Sequence, residues 1–324
     1  MVHAMEYRRL GTSGLKLSEI SLGSWLTYGS RVEAEAAKAC IRTAYEHGVN
    51  HFDCAVVYGA RPHQAEEVVG EALREFPRHT YTVTSKVFWK VGPSTYDQGL
   101  SRKHIIERVE MSLKAMKLDY IDIYYAHRYD PETDLEETLR AFDDLVAQGK
   151  ILYYGFSMWT AAQFEHAAAI VDKRNLRRPV ISQPVYNMID RGIEKEIMPI
   201  CAREGIGQVV YSPLAQGVLT GKYEPGKPLP AGTRATDPKY GHFVQRYLKD
   251  ETLERVQKLR PIAERNGLSM AQLALAWVLR RPEVTSALIG ATRPEQVVEN
   301  VKASGVKLSA EDLREIDEVL GYAE

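Results

Sequence analysis

Four residues of this sequence, each at or just beyond the end of an apolar run, could move a proton between them. They are Asp53 in HFDCA, Tyr58 in VVYG, Lys86 in VTSKV and His127 in IYYAH. The runs before Asp53, Lys86 and His127 are β-branched and aromatic, the composition of strands buried in a parallel sheet. Tyr58 follows shortly after the first of these runs. A carboxylate, a phenol, an ammonium and an imidazole gathered at strand ends make a proton-donating site. Such a site suits reduction of a carbonyl, in which hydride must reach carbon and a proton must reach oxygen.

Strand ends can meet only if the strands lie side by side, and the rest of the chain supplies them. Candidate strands run over Glu19–Gly23, Asn50–Ala55, Tyr81–Val87, Ile121–His127, Leu152–Met158, Val180–Tyr186, Gly207–Pro213 and Ser286–Ala291. Eight is the number that closes a parallel barrel, and on such barrels the reactive groups project from the carboxyl ends of the strands. Amphipathic segments alternate with them. Ser101 is placed to cap a helix whose Ile105, Val109, Leu113 and Met116 recur at helical spacing. A second helix is expected over Thr138–Gln148, stopped by Gly149, and a third, apolar nearly all round, over Met270–Leu279. The pattern predicts an α/β fold, a (β/α)8 TIM barrel in one domain spanning 1–324. Tyr7–Leu17, with Gly11 and Gly14 at its turn, is read as a β-hairpin capping one end. The proline- and glycine-rich stretch Glu224–Tyr240 is read as a long loop over the barrel mouth.

Composition narrows the class of function. The chain has 324 residues and a formal net charge of -1, which argues against nucleic acid or an anionic membrane as the main partner. No apolar stretch approaches the ~20 residues that span a bilayer, so no membrane insertion is expected. The opening MVHAMEYRRLG has neither the apolar core nor the cleavage signal of a secretory leader, and Met5 is a natural start. Cys40, Cys54 and Cys201 are widely spaced, in no CxxC or Cys/His arrangement, and read as reduced thiols of a cytoplasmic protein without structural zinc.

The run FDCAVVYG resembles the aldo-keto reductase signature FDTAxxYG, and KVFW, YAHRYDP, YGFSMW, YSPLAQGVLTGKY and LIGATRPEQVVEN resemble later blocks of that superfamily in order. Within it, GLSRKHIIE, LGTSGLKLSEISLGSWLTYG and SPLAQGVLTGKY are similar to the β-subunits of voltage-gated potassium channels and their bacterial relatives. The resemblance implies reduction of aldehydes or ketones by NADP(H), with Tyr58 as general acid, Lys86 and Asp53 adjusting it, and His127 orienting the carbonyl. A free phenol titrates near ~10, and the Lys86 ammonium is expected to draw it down. His127 favours turnover, because the animal channel subunits of this family carry Asn there. The resemblance also implies a homotetramer and offers an alternative reading, a regulatory module that docks on a potassium channel and senses redox state. A phosphate-binding lyase or isomerase would need a Schiff-base lysine or metal carboxylates, and Lys86 already has a place in the reductase set.

Cofactor residues follow from the same resemblance. Ser24 and Trp25 would line the nicotinamide pocket, Ser157 and Gln183 would bond its carboxamide, and Tyr211 would stack on its ring. Ser212, Pro213, Leu214, Gln216 and Gly217 would surround the pyrophosphate, and the chain has no GxGxxG of the Rossmann kind. Lys222 and Arg234 lie in the loop that folds over the cofactor. Gly290, Thr292, Arg293, Gln296, Glu299 and Asn300 match the adenosine end, with Thr292 also readable as a helix cap and Pro294 early in that helix. The chain departs from the family pattern at Cys54 and Val56 and in a longer YGARPHQAEE loop. At Met158 many relatives carry Asn and the channel subunits Arg, so one polar contact near the nicotinamide is missing. Trp25, Tyr28, Phe88, Trp89, Tyr129 and Trp159 would give an aromatic pocket for the carbonyl's apolar side.

Overall fold

The structure is a computed structural model that describes residues 4–30 and 32–322. The first three residues of the segment read above for a leader lie outside the described residues. A hairpin of β1 (Tyr7–Arg9) and β2 (Lys16–Ser18) precedes eight strands. These are β3 (Ile20–Gly23), β4 (His51–Asp53), β5 (Thr82–Val87), β6 (Ile121–Ala126), β7 (Ile151–Ser157), β8 (Ile181–Gln183), β9 (Gly207–Tyr211) and β10 (Val284–Gly290). All eight pair in parallel and close a barrel in the order β10-β3-β4-β5-β6-β7-β8-β9. Every expected barrel strand is present, and the fold is the TIM barrel that the alternation predicts.

The ends differ from the expected ones for local reasons. The strand expected over Val180–Tyr186 stops at Gln183, because Pro184 has no N–H for the ladder. Only an isolated bridge between Val185 and Tyr211 continues the pairing. The last residues of several expected strands, including His127 and Met158, fall in the turns beyond the ladder. That places them at the mouth.

Helices α1 (Ala34–Glu46), α2 (Gln64–Leu73), α3 (Arg102–Met116), α4 (Leu135–Ala147), α5 (Ala161–Arg174) and α6 (Ile197–Arg203) alternate with the strands. After β9 come α7 (Asp250–Lys258), α8 (Arg260–Arg265) and α9 (Met270–Leu279), and after β10 come α10 (Pro294–Val301) and α11 (Ala310–Leu320). Ser101 caps α3 as expected, accepting from the His104 amide at 3.3 Å, and Ile105, Val109, Leu113 and Met116 are buried. Helix α4 starts three residues before its expected Thr138, because Asp134 accepts from the Glu136 amide and sets the cap there.

Side chains alternate across each strand, so every second residue points into the barrel. Leu10 and Leu17 of the hairpin plug the amino-terminal end against Ile123, Tyr125, Ile181, Val209 and Leu288. Gly11 makes this close approach possible: at φ 53°, a Cβ there would sit 2.0 Å from the Gly205 carbonyl oxygen. One step further along the same inward rows stand Asp53, Lys86 and Gln183, which β4, β5 and β8 raise to the carboxyl-terminal end. Two residues below them in the same rows stand His51, Thr84 and Ile181, the first two polar and hydrogen-bonded.

Candidate active site

The four groups singled out from the sequence meet at the mouth. Lys86 Nζ donates to Asp53 Oδ2 at 2.6 Å and to the Cys54 carbonyl at 2.7 Å, and lies 3.4 Å from the Tyr58 hydroxyl. On the other side of that hydroxyl, His127 Nε2 stands at 3.5 Å. Asp53 Oδ1 accepts from Thr84 Oγ1 at 2.7 Å and from Gln183 Nε2 at 2.8 Å, so its carboxylate is held by three donors from two strands, β5 and β8. Asp53, Lys86, Tyr58 and His127 are all buried.

Dryness dominates their electrostatics. Burial pushes the Tyr58 phenol well above its ordinary value, and the Asp53 charge pushes the same way. The expectation that Lys86 draws the phenol down does not hold, because burial outweighs the ammonium and the Asp53 charge opposes it. Burial also lowers the Lys86 ammonium from its ordinary value, with Asp53 opposing. His127 is pushed well below the ordinary imidazole range by burial first, then by Lys86 and Arg128. Its Nδ1 is buried without a hydrogen-bond partner among the described residues. The neutral ring is therefore best served by a proton on Nε2, which leaves an acceptor rather than an N–H orphaned. At neutral pH the site presents two uncharged proton carriers, a phenol and an Nε2–H.

These groups sit at one end of an elongated cavity of about 720 Å³, within the range of small-molecule and cofactor sites. Of the residues expected near a cofactor, Trp25, Ser157, Gln183, Tyr211, Ser212, Pro213, Leu214, Gln216, Gly217, Lys222, Arg234, Gly290, Thr292, Arg293, Gln296, Glu299 and Asn300 line it. Asp53, expected there too, also lines it, and two stand elsewhere. Ser24 lies behind the wall, its Oγ donating to the Asp53 carbonyl at 2.9 Å. Met158 stands beside Tyr211, whose hydroxyl reaches its Sδ at 3.3 Å.

The middle of the cavity is built by backbone. Ser212, Ala215, Gln216 and Gly217 all have positive φ, at 54°, 46°, 59° and 94°. This left-handed segment folds back on itself, the Ala215 N–H donating to the Ser212 carbonyl at 3.0 Å and the Gly217 N–H to the Leu214 carbonyl at 2.8 Å. Only glycine takes this conformation without cost, so three side-chain-bearing residues held there mark a strained, functional segment. Gln216 fastens it, donating to Ser212 Oγ at 2.6 Å and accepting from Arg234 Nη1 of the covering loop. Ala231, Gly232, Thr233 and Arg234 bring that loop over the cavity, as the reading of Glu224–Tyr240 expects.

At the far end the start of α10 opens onto the cavity. Thr292 is not its cap. The helix begins at Pro294 with Arg293 at the cap position, and Gln296 Oε1 reaches back to accept from Thr292 N at 2.8 Å and Thr292 Oγ1 at 3.2 Å. Lys222, Arg234 and Arg293 give this half three cations beside a helix N-terminus. A long cavity with proton donors at one end and anion-binding groups along the rest fits a phosphorylated dinucleotide.

Sequence reading missed Val57, Thr27, Phe243 and Arg128, all on the wall. Phe243 packs edge-on against Trp25 from a short helical turn with no periodic signal. Arg128 was in view beside His127, but a basic residue after a strand reads as solvated surface. Met158 carries its own signal in the structure: its φ of 59° is left-handed and it is 40% exposed. Asn tolerates that conformation and Met does not, so Met158→Asn is expected to stabilise the fold by about 0.5–1 kcal/mol. A shift in the urea midpoint of unfolding measures this, and an unchanged or lower midpoint would count against strain at this position.

The sequence model of the Aldo/keto reductase family matches residues 19–321. A probable voltage-gated potassium channel subunit beta of Arabidopsis thaliana is 43% identical over 305 residues, 93% of this chain and 92% of the relative. A protein of the same description from Oryza sativa subsp. japonica is 42% identical over the same shares. A putative voltage-gated potassium channel subunit beta of Schizosaccharomyces pombe is 43% identical over 325 residues, 98% of this chain and 93% of the relative. The match begins at the first barrel strand and runs through the last helix. A chain matched over this whole barrel belongs to the aldo/keto reductase family.

Proposed function

We propose that this protein is an NADP(H)-dependent reductase of aldehydes or ketones in which Tyr58 is the general acid. One observation carries the reading: the Tyr58 hydroxyl, flanked by Lys86 Nζ at 3.4 Å and His127 Nε2 at 3.5 Å, heads a cavity whose other end gathers three cations. When bound, the reduced nicotinamide supplies hydride to the carbonyl carbon. His127 Nε2–H and the Tyr58 hydroxyl hold the carbonyl oxygen, and Tyr58 gives it the proton. Lys86 and Asp53 fix the phenol in place. Trp25, Ser157, Gln183 and Tyr211 would surround the nicotinamide, with the turn of Ser212–Gly217 at the pyrophosphate and Arg293, Gln296 and Asn300 at the adenosine. The covering loop keeps water from the reacting atoms.

The names of the relatives favour a second reading, a subunit that docks on a potassium channel and carries bound cofactor. His127, together with the complete proton-donating set, weighs toward turnover. Among the described residues no helix is long and apolar enough to cross a membrane, so a channel association would be peripheral, from the cytoplasm.

A titration of the purified protein tests the cofactor reading. NADPH is expected to quench tryptophan fluorescence saturably at micromolar concentration, with NADH at least about tenfold weaker, since a charge-assisted contact to the 2′-phosphate is worth ~1.5–3 kcal/mol. Arg293→Ala should narrow that difference. Absence of saturable binding at millimolar nucleotide would sink the whole reading.

A further inference from the structure

The carbonyl end of the cavity holds a cation that the reaction as described does not use. Arg128 follows His127 and lines the same wall as Tyr58, Trp25 and Trp89. Its guanidinium lies over the Trp89 ring at 5.3 Å, and that ring stands 6.3 Å from the His127 ring, which is 5.8 Å from the ring of Tyr58. Arg128 is only half-buried, and Nη1 donates to the His127 carbonyl at 2.5 Å. No carboxylate pairs with it among the described residues. The surface arginines Arg42, Arg61, Arg177 and Arg178, by contrast, are each matched to an Asp or Glu. Its charge reaches the reacting groups, lowering the proton affinities of Tyr58, Lys86 and His127 alike.

A guanidinium removed from bulk water without a counter-ion is costly unless something completes it. The Trp89 face and one carbonyl do so in part, leaving the remaining N–H groups of a planar fork unspent. That fork matches a carboxylate or a phosphate in two parallel bonds. We infer that Arg128 selects, for the reduction proposed above, carbonyl compounds bearing a carboxylate or phosphate, holding the anion against Trp89 while Tyr58 and His127 take the carbonyl oxygen. The inference rests on the reductase reading. The reaction itself is unchanged by the charge. Two electrons and one hydrogen come to the carbonyl carbon from reduced nicotinamide, the oxygen takes the Tyr58 proton, and the anionic group passes through intact.

Matched substrates test this. With NADPH, kcat/KM for 4-carboxybenzaldehyde should exceed that for methyl 4-formylbenzoate at least tenfold, and 4-formylphenyl phosphate should exceed 4-methoxybenzaldehyde likewise. The two pairs tell whether carboxylate or phosphate is preferred. Arg128→Gln, which keeps a donor to the His127 carbonyl but no charge, should lower the ratio of anionic to neutral substrate within each pair about tenfold, whatever change the two members share. Arg128→Lys should restore part of the loss. Equal use of acid and ester by the wild type, or a ratio unmoved by Arg128→Gln, overturns the assignment. A binding readout stands beside turnover: benzoate should quench the tryptophan fluorescence of the cofactor-free protein saturably, and Arg128→Gln should abolish the quench. Absence of any NADPH-dependent reduction by the wild type overturns the reductase reading and leaves the benzoate titration to decide the role of Arg128. Tyr58-dependent reduction with no preference for anions overturns the Arg128 assignment alone.

Discussion

Tyr58→Phe should lower the turnover number for carbonyl reduction by about a hundredfold or more and leave NADPH affinity close to wild type. The substitution removes one hydroxyl, keeps the ring volume and leaves Lys86 its two shorter bonds, to Asp53 and the Cys54 carbonyl. The loss should fall on kcat rather than on KM, because a proton donor acts on the oxygen as negative charge develops there, not on the bound ground state. The electrostatics adds a second signature. Burial and Asp53 keep the phenol protonated well above neutrality, so reduction by the wild type should hold level from neutral to mildly alkaline pH. Steady-state kinetics across pH, with a fluorescence titration of NADPH, measure all three quantities. Retention of more than about a tenth of wild-type turnover would mean that another group supplies the proton, with His127 the nearest candidate at 3.5 Å.

Much of this arrangement was legible in the residues. The eight barrel strands could be read because each is a short β-branched or aromatic run, and burial between two layers needs that composition. Asp53, Tyr58, Lys86 and His127 could be placed because a parallel barrel sends its strand ends to one face. What escaped was set by single groups at element ends or by contacts distant in sequence. The extent of β8 depends on one missing N–H at Pro184. The start of α4 depends on Asp134 outcompeting a later cap. Phe243 reaches the cavity only because its helical turn folds back onto Trp25, which no local pattern encodes.

Proton affinities were the least legible property. The ammonium of Lys86 near Tyr58 suggests a lowered phenol when the two are considered as a pair. The structure adds burial and a carboxylate 2.6 Å from that ammonium, and both reverse the direction. Arg128 shows the same limit from the other side. Its position was visible beside His127, but whether a counter-ion met it depended on every element packed around the mouth.

Lys86→Met should damage both chemistry and fold, and the two losses can be separated. Lys86 Nζ is fully buried and bonds Asp53, the Cys54 carbonyl and the Tyr58 hydroxyl. Methionine fills most of the volume but strands the Asp53 carboxylate in a dry site with only Thr84 and Gln183 as donors. Breaking one side of a buried ion pair costs about 3–5 kcal/mol, more than the pair contributes over a neutral substitute. The double variant Asp53→Asn with Lys86→Met removes that charge and should recover most of the lost stability in urea unfolding. Lowering the pH should narrow the gap between single and double variants, because protonating Asp53 discharges it while Asn has nothing to titrate. Turnover should not follow stability. With the ammonium gone, nothing fixes the phenol against the carbonyl oxygen, so the refolded double variant should remain about a hundredfold slow. A double variant that regains both stability and turnover would mean that Lys86 matters only as the counter-ion of Asp53, and that Tyr58 works without it.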